Sequence, residues 1–185
     1  AGYILEKINF MTAGSFYSLM FSPGISWEVE DCRYSLSASA IFFIFCRFAQ
    51  SVSFGFSGAD FVLVAPVLFL EWIATAAILH FFAHSAGGRG SVTDFFRLLP
   101  FAELPFLFLP PAKILAGSLF SSFGAAFPIM AVMIYVWSFV LKIKALMFNY
   151  RLSSAGAFSA FAAPLLIGVI LTASALFLRA VMLLL

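Results

Sequence analysis

Five runs of mostly apolar residues dominate the sequence, and each is long enough for a membrane-spanning helix. About 20 helical residues cross the hydrocarbon core of a bilayer, which is about 30 Å thick. The runs cover residues 34–54, 60–82, 95–119, 123–146 and 157–185. Only helices and closed barrels satisfy their backbone groups in lipid, and these runs lack the alternation of barrel strands. The sequence therefore predicts an all-α integral membrane protein built as a bundle of five transmembrane helices.

The composition agrees with a membrane protein and excludes several function classes. Of 185 residues, 64% are hydrophobic and 10% are charged, with a mean hydropathy of +1.10, whereas soluble domains are about 45–50% apolar and about 25% charged. A net charge of +2 leaves no basic stripe for a row of phosphates, so we expect no nucleic-acid partner. The two cysteines, Cys32 and Cys46, form neither a ligand cluster nor a disulfide framework. We expect membrane lipids around the chain, and neither a cofactor nor a metal.

Residues 1–33 differ from the rest and predict a separate segment. Apolar and aromatic side chains are mixed there with a Pro-Gly break at Pro23 and an acidic group before the first run. Such a mixture is typical of a segment that lies along the membrane interface rather than across it. The predicted organisation is an interfacial N-terminal segment over 1–33 and a five-helix transmembrane domain over 34–185.

Lysine and arginine residues are divided unevenly between the two sides of the predicted bundle, seven against three. The richer side holds Lys7, Arg33, Arg89, Arg97, Lys142, Lys144 and Arg151, and the poorer side holds Arg47, Lys113 and Arg179. Cytoplasmic loops carry the excess of these residues. The count therefore predicts a cytoplasmic N-terminus and a C-terminus on the outside.

The stretch "GGRGSVTDFFRLLPFAELP", residues 87–105, ends one predicted helix and begins the next. Its glycines permit a positive φ after the second helix, and Ser91 followed by Asp94 has the spacing of a capping box. The loop has neither the dinucleotide spacing nor the lysine of a P-loop, so it is a weak candidate for phosphate binding. Four prolines remove helical donors from the third span, which we expect to be kinked or broken. They are Pro100, Pro105, Pro110 and Pro111.

Three charged residues fall inside the predicted spans: Arg47, Glu71 and Glu103. Charges in the bilayer are costly and usually face a partner or a cavity. At about 1.5 Å per residue, all three lie near mid-depth, so Arg47 and Glu71 are predicted to pair. Glu103 would then be protonated, hydrated or paired with another polar group. The pair either fixes helix register or belongs to a conduction path, and register is the more common role.

The remaining polar residues are predicted to lie at the cytoplasmic interface: His80, His84, Arg89, Arg97 and Lys142. The two histidines, spaced i, i+4, share a helical face and could hold a metal, but no matching third ligand is apparent. Covalent catalysis needs a nucleophile within reach of an oriented base, and neither cysteine has a histidine at comparable depth. The sequence therefore indicates neither a metal site nor an enzyme.

Three stretches resemble the Yip family of five-span membrane proteins. They are "LHFFAHSAGGRGSVTDFFRLLPFAELP", then "IYVWSFVLKIKAL", then "LSSAGAFSAFAAPLLI". The likeness covers about residues 60–175, although Glu103 stands where a small residue is common in the family. It implies five helices with a cytoplasmic N-terminus. Because the long polar N-terminal region of the eukaryotic, trafficking members is missing, the chain is most similar to the short prokaryotic members, which implies a prokaryotic plasma membrane.

Three functions agree with these features. The first, which the Yip resemblance implies, is a non-enzymatic scaffold or interaction partner in membrane organisation or trafficking, bound to other membrane proteins or to copies of itself. The second is a small transporter or channel that uses Arg47, Glu71 and Glu103 in a wet cavity. The third is an accessory subunit of a larger membrane complex.

Overall fold

A computed structural model describes residues 36–119 and 124–184, and these form helices joined by short connections. The helices are α1 (Leu36–Ser53), α2 (Gly58–Ser85), α3 (Val92–Leu98), a 3₁₀ segment (Leu99–Phe108), α4 (Leu109–Leu119), α5 (Ala126–Tyr150) and α6 (Ser154–Leu184). The predicted interfacial segment, residues 1–33, lies outside the described residues.

Five helical stretches are long and apolar enough to cross a membrane, which confirms the predicted all-α membrane fold. They are Leu36–Ser53, Gly58–Ser85, Val92–Ser118, Ala126–Tyr150 and Ser154–Ser174. The third of them is the most buried: 56% of the residues in its most apolar 18-residue stretch are buried, against 11–28% in the other four. It packs against the first, second and fourth spans, whereas the fifth packs against the second and fourth.

The second span begins two residues earlier than predicted because Ser57 caps it. The Ser57 hydroxyl accepts a hydrogen bond from the Asp60 backbone, and the Asp60 carboxylate accepts one from the Ser57 backbone at 2.9 Å. This reciprocal capping box satisfies two backbone donors that a helix start leaves unpaired. At the predicted box, Ser91 caps α3 by accepting from the Asp94 backbone at 3.4 Å.

The third span is broken, as its prolines predict. Ten consecutive residues, Leu99–Phe108, adopt 3₁₀ geometry between α3 and α4. Prolines lack the backbone N–H of the α-helical ladder, and the tighter 3₁₀ turn is uncommon over more than a few residues. All residues from Leu99 to Phe106 are buried, so the irregular backbone lies within protein rather than against lipid, as a bilayer requires.

The glycines of the 87–90 loop serve two different needs. Gly87 has a φ of 87°, the left-handed conformation predicted for the end of a helix. Gly88 and Gly90 do not have a positive φ, which corrects that part of the prediction. A Cβ on Gly88 would lie 2.8 Å from the Tyr150 Cβ, and one on Gly90 would overlap the Asn149 carbonyl. These two glycines therefore let the loop pack directly on the end of α5.

Aromatic contacts join neighbouring spans. Phe43 of α1 stacks on Trp72 of α2 with ring centroids 5.2 Å apart, and Phe106 lies 5.0 Å from Tyr135 of α5. Such pairs add about 0.5–1.5 kcal/mol beyond the area that they bury. Large apolar side chains on the outer faces are exposed, for example Leu63 and Ile114, and these faces suit contact with lipid.

Candidate functional site

A cluster of charged side chains extends from the interior of the bundle to its surface at the level where the third span is broken. Glu71 is 13 residues after the start of α2 and 14 before its end, which is about 20 Å from either end at 1.5 Å per residue. Arg47 of α1 and Glu103 of the 3₁₀ segment contact each other at this level. Their contacts place the three residues at one level along the bundle, and their depth in the bilayer stays a prediction.

Arg47 contacts both carboxylates at once. Its Nη2 donates to Glu71 Oε1 at 3.0 Å and to Glu103 Oε1 at 3.0 Å. Its Nε lies 2.7 Å from Glu103 Oε2, but the N–H is not aligned for a hydrogen bond, so this contact is an ion pair only. Nη1 donates to Gln50 Oε1 at 3.0 Å. The prediction that pairing with Glu71 would leave Glu103 without Arg47 is therefore wrong, because one guanidinium has enough donors for both carboxylates.

Glu103 has a second cationic partner, Lys142 of α5. The Lys142 Nζ lies 3.1 Å from Glu103 Oε1, and the Glu103 side chain is only 4% exposed. The prediction that Lys142 lies at the cytoplasmic interface is wrong, because α5 continues to Tyr150 and places Lys142 eight residues inside the helix. Arg47, Lys142, Glu71 and Glu103 form the charge cluster, in which two positive and two negative groups balance.

Two aromatic rings flank the guanidinium of Arg47. Its central carbon lies 5.2 Å from the ring centroid of Phe43 and 5.9 Å from that of Phe106. A cation within about 6 Å of a ring face is attracted by the ring quadrupole. The rings and the carboxylates together compensate the loss of hydration around Arg47.

Polar residues that the sequence analysis did not single out complete the site. Gln50 Nε2 donates to the Tyr135 hydroxyl at 2.6 Å. Ser138 Oγ donates to the carbonyl of Ala102 in the 3₁₀ segment at 2.9 Å, which satisfies a buried acceptor of the broken helix. Tyr135, Ser138 and Lys142 are spaced i, i+3, i+7 along α5. That spacing places them on one helical face and is the sequence signal that could have identified them.

A cavity of about 460 Å³ opens beside the cluster. Its volume lies within the range of small-ligand sites, about 300–1,000 Å³. The lining residues are Arg47, Glu71, Phe106, Tyr135, Val136, Ser138, Phe139, Lys142 and Phe161. Glu71 is the most accessible of the charged residues, with 48% of its side chain exposed against 12% for Arg47. The cluster is therefore closed around Glu103 and open at Glu71.

The other predicted site residues lie away from the cluster, towards the 86–91 connection. The rings of His80 and His84 are 6.1 Å apart, and His80 Nδ1 lies 2.7 Å from the Tyr150 hydroxyl. Among the described residues, no group of three potential metal ligands occurs. Arg97 pairs with Asp94 at 3.3 Å, and Arg89 is exposed in the connection. These residues are not parts of one site with the charge cluster.

No family model matches the chain, and no curated protein or solved structure matches it significantly. The resemblance to the Yip family therefore stays a prediction from its sequence motifs, and the physical properties of the cluster are the basis for a proposal on function.

Proposed function

We propose that the chain is a non-enzymatic membrane protein that binds other membrane proteins, or further copies of itself, through its helix faces. The proposal follows the resemblance to the short prokaryotic Yip members, and includes a prokaryotic plasma membrane with a cytoplasmic N-terminus. The observation that carries it is the half-exposed Glu71 carboxylate in the middle of a membrane-spanning helix.

Glu71 lies on a surface that is otherwise apolar. Its neighbours on α2, Val67 and Leu70, are 62% and 64% exposed. A charged side chain at the centre of a bilayer costs about 2.5–3.5 kcal/mol on insertion scales, and the hydrogen bond from Arg47 goes to one Glu71 oxygen, Oε1. A neighbouring helix with a hydroxyl, amide or basic side chain at the same depth would satisfy the carboxylate, because hydrogen bonds between helices join membrane proteins. A partner of this chemistry fits the open side of the cluster.

A photoreactive amino acid at Leu70 tests this proposal in native membranes. We expect a protein adduct from Leu70 that is lost when Glu71→Leu is added, because the partner's polar group then has nothing to bind. Met133 is the matched control, since it is 67% exposed and lies nine residues before Lys142, on the opposite face of α5 at 100° per residue. Equal protein adducts from both positions, or adducts that do not depend on Glu71, would contradict the proposal. Identification of the adduct by mass spectrometry distinguishes a scaffold from an accessory subunit of a larger complex.

A small transporter or channel is the second candidate, and the cavity of about 460 Å³ favours it. Charged and hydroxyl groups converge there, as they do in solute and proton pathways. This candidate predicts proton or solute flux into liposomes that contain the purified protein. Glu71→Gln should lower that flux, because it removes the charge at the open side while Glu103 keeps both of its cations. If liposomes that contain the protein show no flux, and protein adducts at Leu70 depend on Glu71, the protein is an interaction partner rather than a transporter or channel.

A further inference from the structure

A second polar pocket, of about 450 Å³, lies between the connection after α2 and the end of α5. Arg89, Ser91, Asp94, Asn149 and Arg151 are among its lining residues. We infer that this pocket binds the phosphate group of an anionic phospholipid headgroup. The inference is independent of the proposed protein partner at Glu71, because the two sites share no residue.

The two walls of the pocket are held together by direct hydrogen bonds. The Arg89 backbone N–H donates to the Tyr150 carbonyl at 3.1 Å, and Asn149 Nδ2 donates to the Ser91 carbonyl at 2.9 Å. The absence of a Cβ at Gly88 and Gly90 permits this approach. The loop is therefore fixed against α5, and it presents Arg89 and Arg151 to the same cavity.

The pocket carries a net positive charge. Arg89 and Arg151 are both exposed, and the acidic lining residue, Asp94, is paired with Arg97 at 3.3 Å. Arginine is well suited to phosphate because its planar guanidinium offers a fork of N–H donors. The pocket therefore has two arginines against one carboxylate, an excess of positive charge that suits one phosphate group.

Arg151 occupies a backbone position that disfavours its own side chain. It ends α5 with a φ of 54°, in the left-handed region where glycine or asparagine is usual. Among the described non-glycine residues, it is the one with a positive φ. Backbone strain of this kind is concentrated at ligand-binding positions. The left-handed backbone of Arg151 is an observation that does not depend on the net charge of the pocket.

The position of the pocket at the ends of the spans favours a lipid phosphate as the ligand over a dissolved anion. Its lining residues lie within a few positions of the end of α2, the start of α3 and the end of α5, at Ser85, Val92 and Tyr150. Span ends are at the level of the headgroups, where basic pockets bind anionic lipids. A bilayer around the spans would therefore bring a phospholipid phosphate to the entrance of the pocket.

Native mass spectrometry of the purified protein, titrated with phosphatidylglycerol, tests the inference. We expect one tightly retained lipid in the unmodified protein. Arg89→Gln and Arg151→Gln should each weaken its affinity about fivefold, the contribution of one basic residue near an anionic surface. Lys113→Gln is the control, because Lys113 is also exposed but lies in α4, towards the opposite end of the bundle. Its retention of phosphatidylglycerol should be unchanged.

Measurements with other lipids and with inorganic phosphate distinguish the possible ligands. Phosphatidylcholine should be retained less tightly than phosphatidylglycerol, because its choline group cancels the charge that the arginines bind. Equal retention of the two lipids, or an equal effect of Lys113→Gln, would overturn the inference. Inorganic phosphate at the same concentration as the lipid should not displace phosphatidylglycerol. Displacement would show that the site takes phosphate from solution and would overturn the assignment to lipid.

Discussion

Glu103 links the two cations of the charge cluster, and its removal is the perturbation with the clearest expected cost. Glu103→Leu deletes contacts of 2.7 and 3.0 Å to Arg47 and one of 3.1 Å to Lys142. Arg47 keeps Glu71, so the stranded cation is Lys142, whose side chain is only 17% exposed. Loss of one partner of a buried ion pair costs about 3–5 kcal/mol. We expect the free energy of unfolding to fall by that amount.

A second substitution, at Lys142, should add no further loss. Lys142→Met alone should cost less, about 1.5–3 kcal/mol, because Glu103 keeps Arg47 and loses one charged contact. The double variant Glu103→Leu/Lys142→Met leaves Arg47 and Glu71 as a neutral pair at 3.0 Å. We therefore expect the double variant to be no less stable than Glu103→Leu alone. The corresponding coupling energy is about 1.5–3 kcal/mol, within the range for residues in contact.

Steric trapping in bicelles measures the free energies of unfolding that this comparison needs. Met133→Leu is a suitable control, because Met133 is exposed on the opposite face of α5 and should change the free energy by less than about 0.5 kcal/mol. If the losses of the two single variants add up in the double variant, Glu103 and Lys142 are not energetically coupled, and the reasoning on the cluster is refuted.

Three further predictions concern the broken helix, the capping box and the topology. Ser138→Ala should lower the free energy of unfolding by about 1–3 kcal/mol, because it leaves the buried Ala102 carbonyl unpaired; an unchanged stability in bicelles would contradict this role. Ser57→Ala should lower it by about 1 kcal/mol through loss of the cap, measured in the same way, and no loss would contradict that role. Cysteines introduced at Ser153 and Gly58 should be labelled by an impermeant reagent from opposite faces, Ser153 from the cytoplasm; labelling from one face would refute the five-span topology.

The spans could be predicted from the sequence because length and hydropathy set the crossing of a bilayer. Their ends were less predictable, since local hydrogen bonds decide them. Ser57 and Asp60 extend α2 by a reciprocal cap, and α5 continues to Tyr150, beyond the predicted end at 146. The prolines predicted a break in the third span, but its ten-residue 3₁₀ geometry depends on burial among the other helices.

Three of the four residues of the charge cluster, Arg47, Glu71 and Glu103, could be placed at one level from the sequence. Arg47 and Glu71 have matching depths along neighbouring spans, so their contact follows from counting residues. Lys142 was placed at the membrane surface because the end of α5 was predicted too early. The contact of Arg47 with both carboxylates depends on how the 3₁₀ segment packs between α1 and α5, which residue spacing along one chain does not give.

The positions of Arg47 and Lys142 in the charge cluster change the count of lysine and arginine residues on the two sides of the bundle. Lys142 and Arg47 lie inside the bundle, so each side loses one of its counted charges. The richer side still holds more lysine and arginine, and the prediction of a cytoplasmic N-terminus stands on the remaining residues. It stays a prediction until the labelling experiment is done.

The contact between Arg47 and Glu103 is the central claim, because it joins the first span to the broken third span at mid-membrane. Solid-state NMR of the protein in bilayers, with labelled arginine side-chain nitrogens and glutamate carboxyl carbons, measures this contact directly. The account predicts a strong nitrogen–carbon dipolar coupling, as expected for an Nε–Oε2 separation of 2.7 Å, that Glu103→Gln weakens and that remains in part when Glu71→Gln is made. A coupling that is absent in the unmodified protein, or that disappears completely with Glu71→Gln, would contradict it.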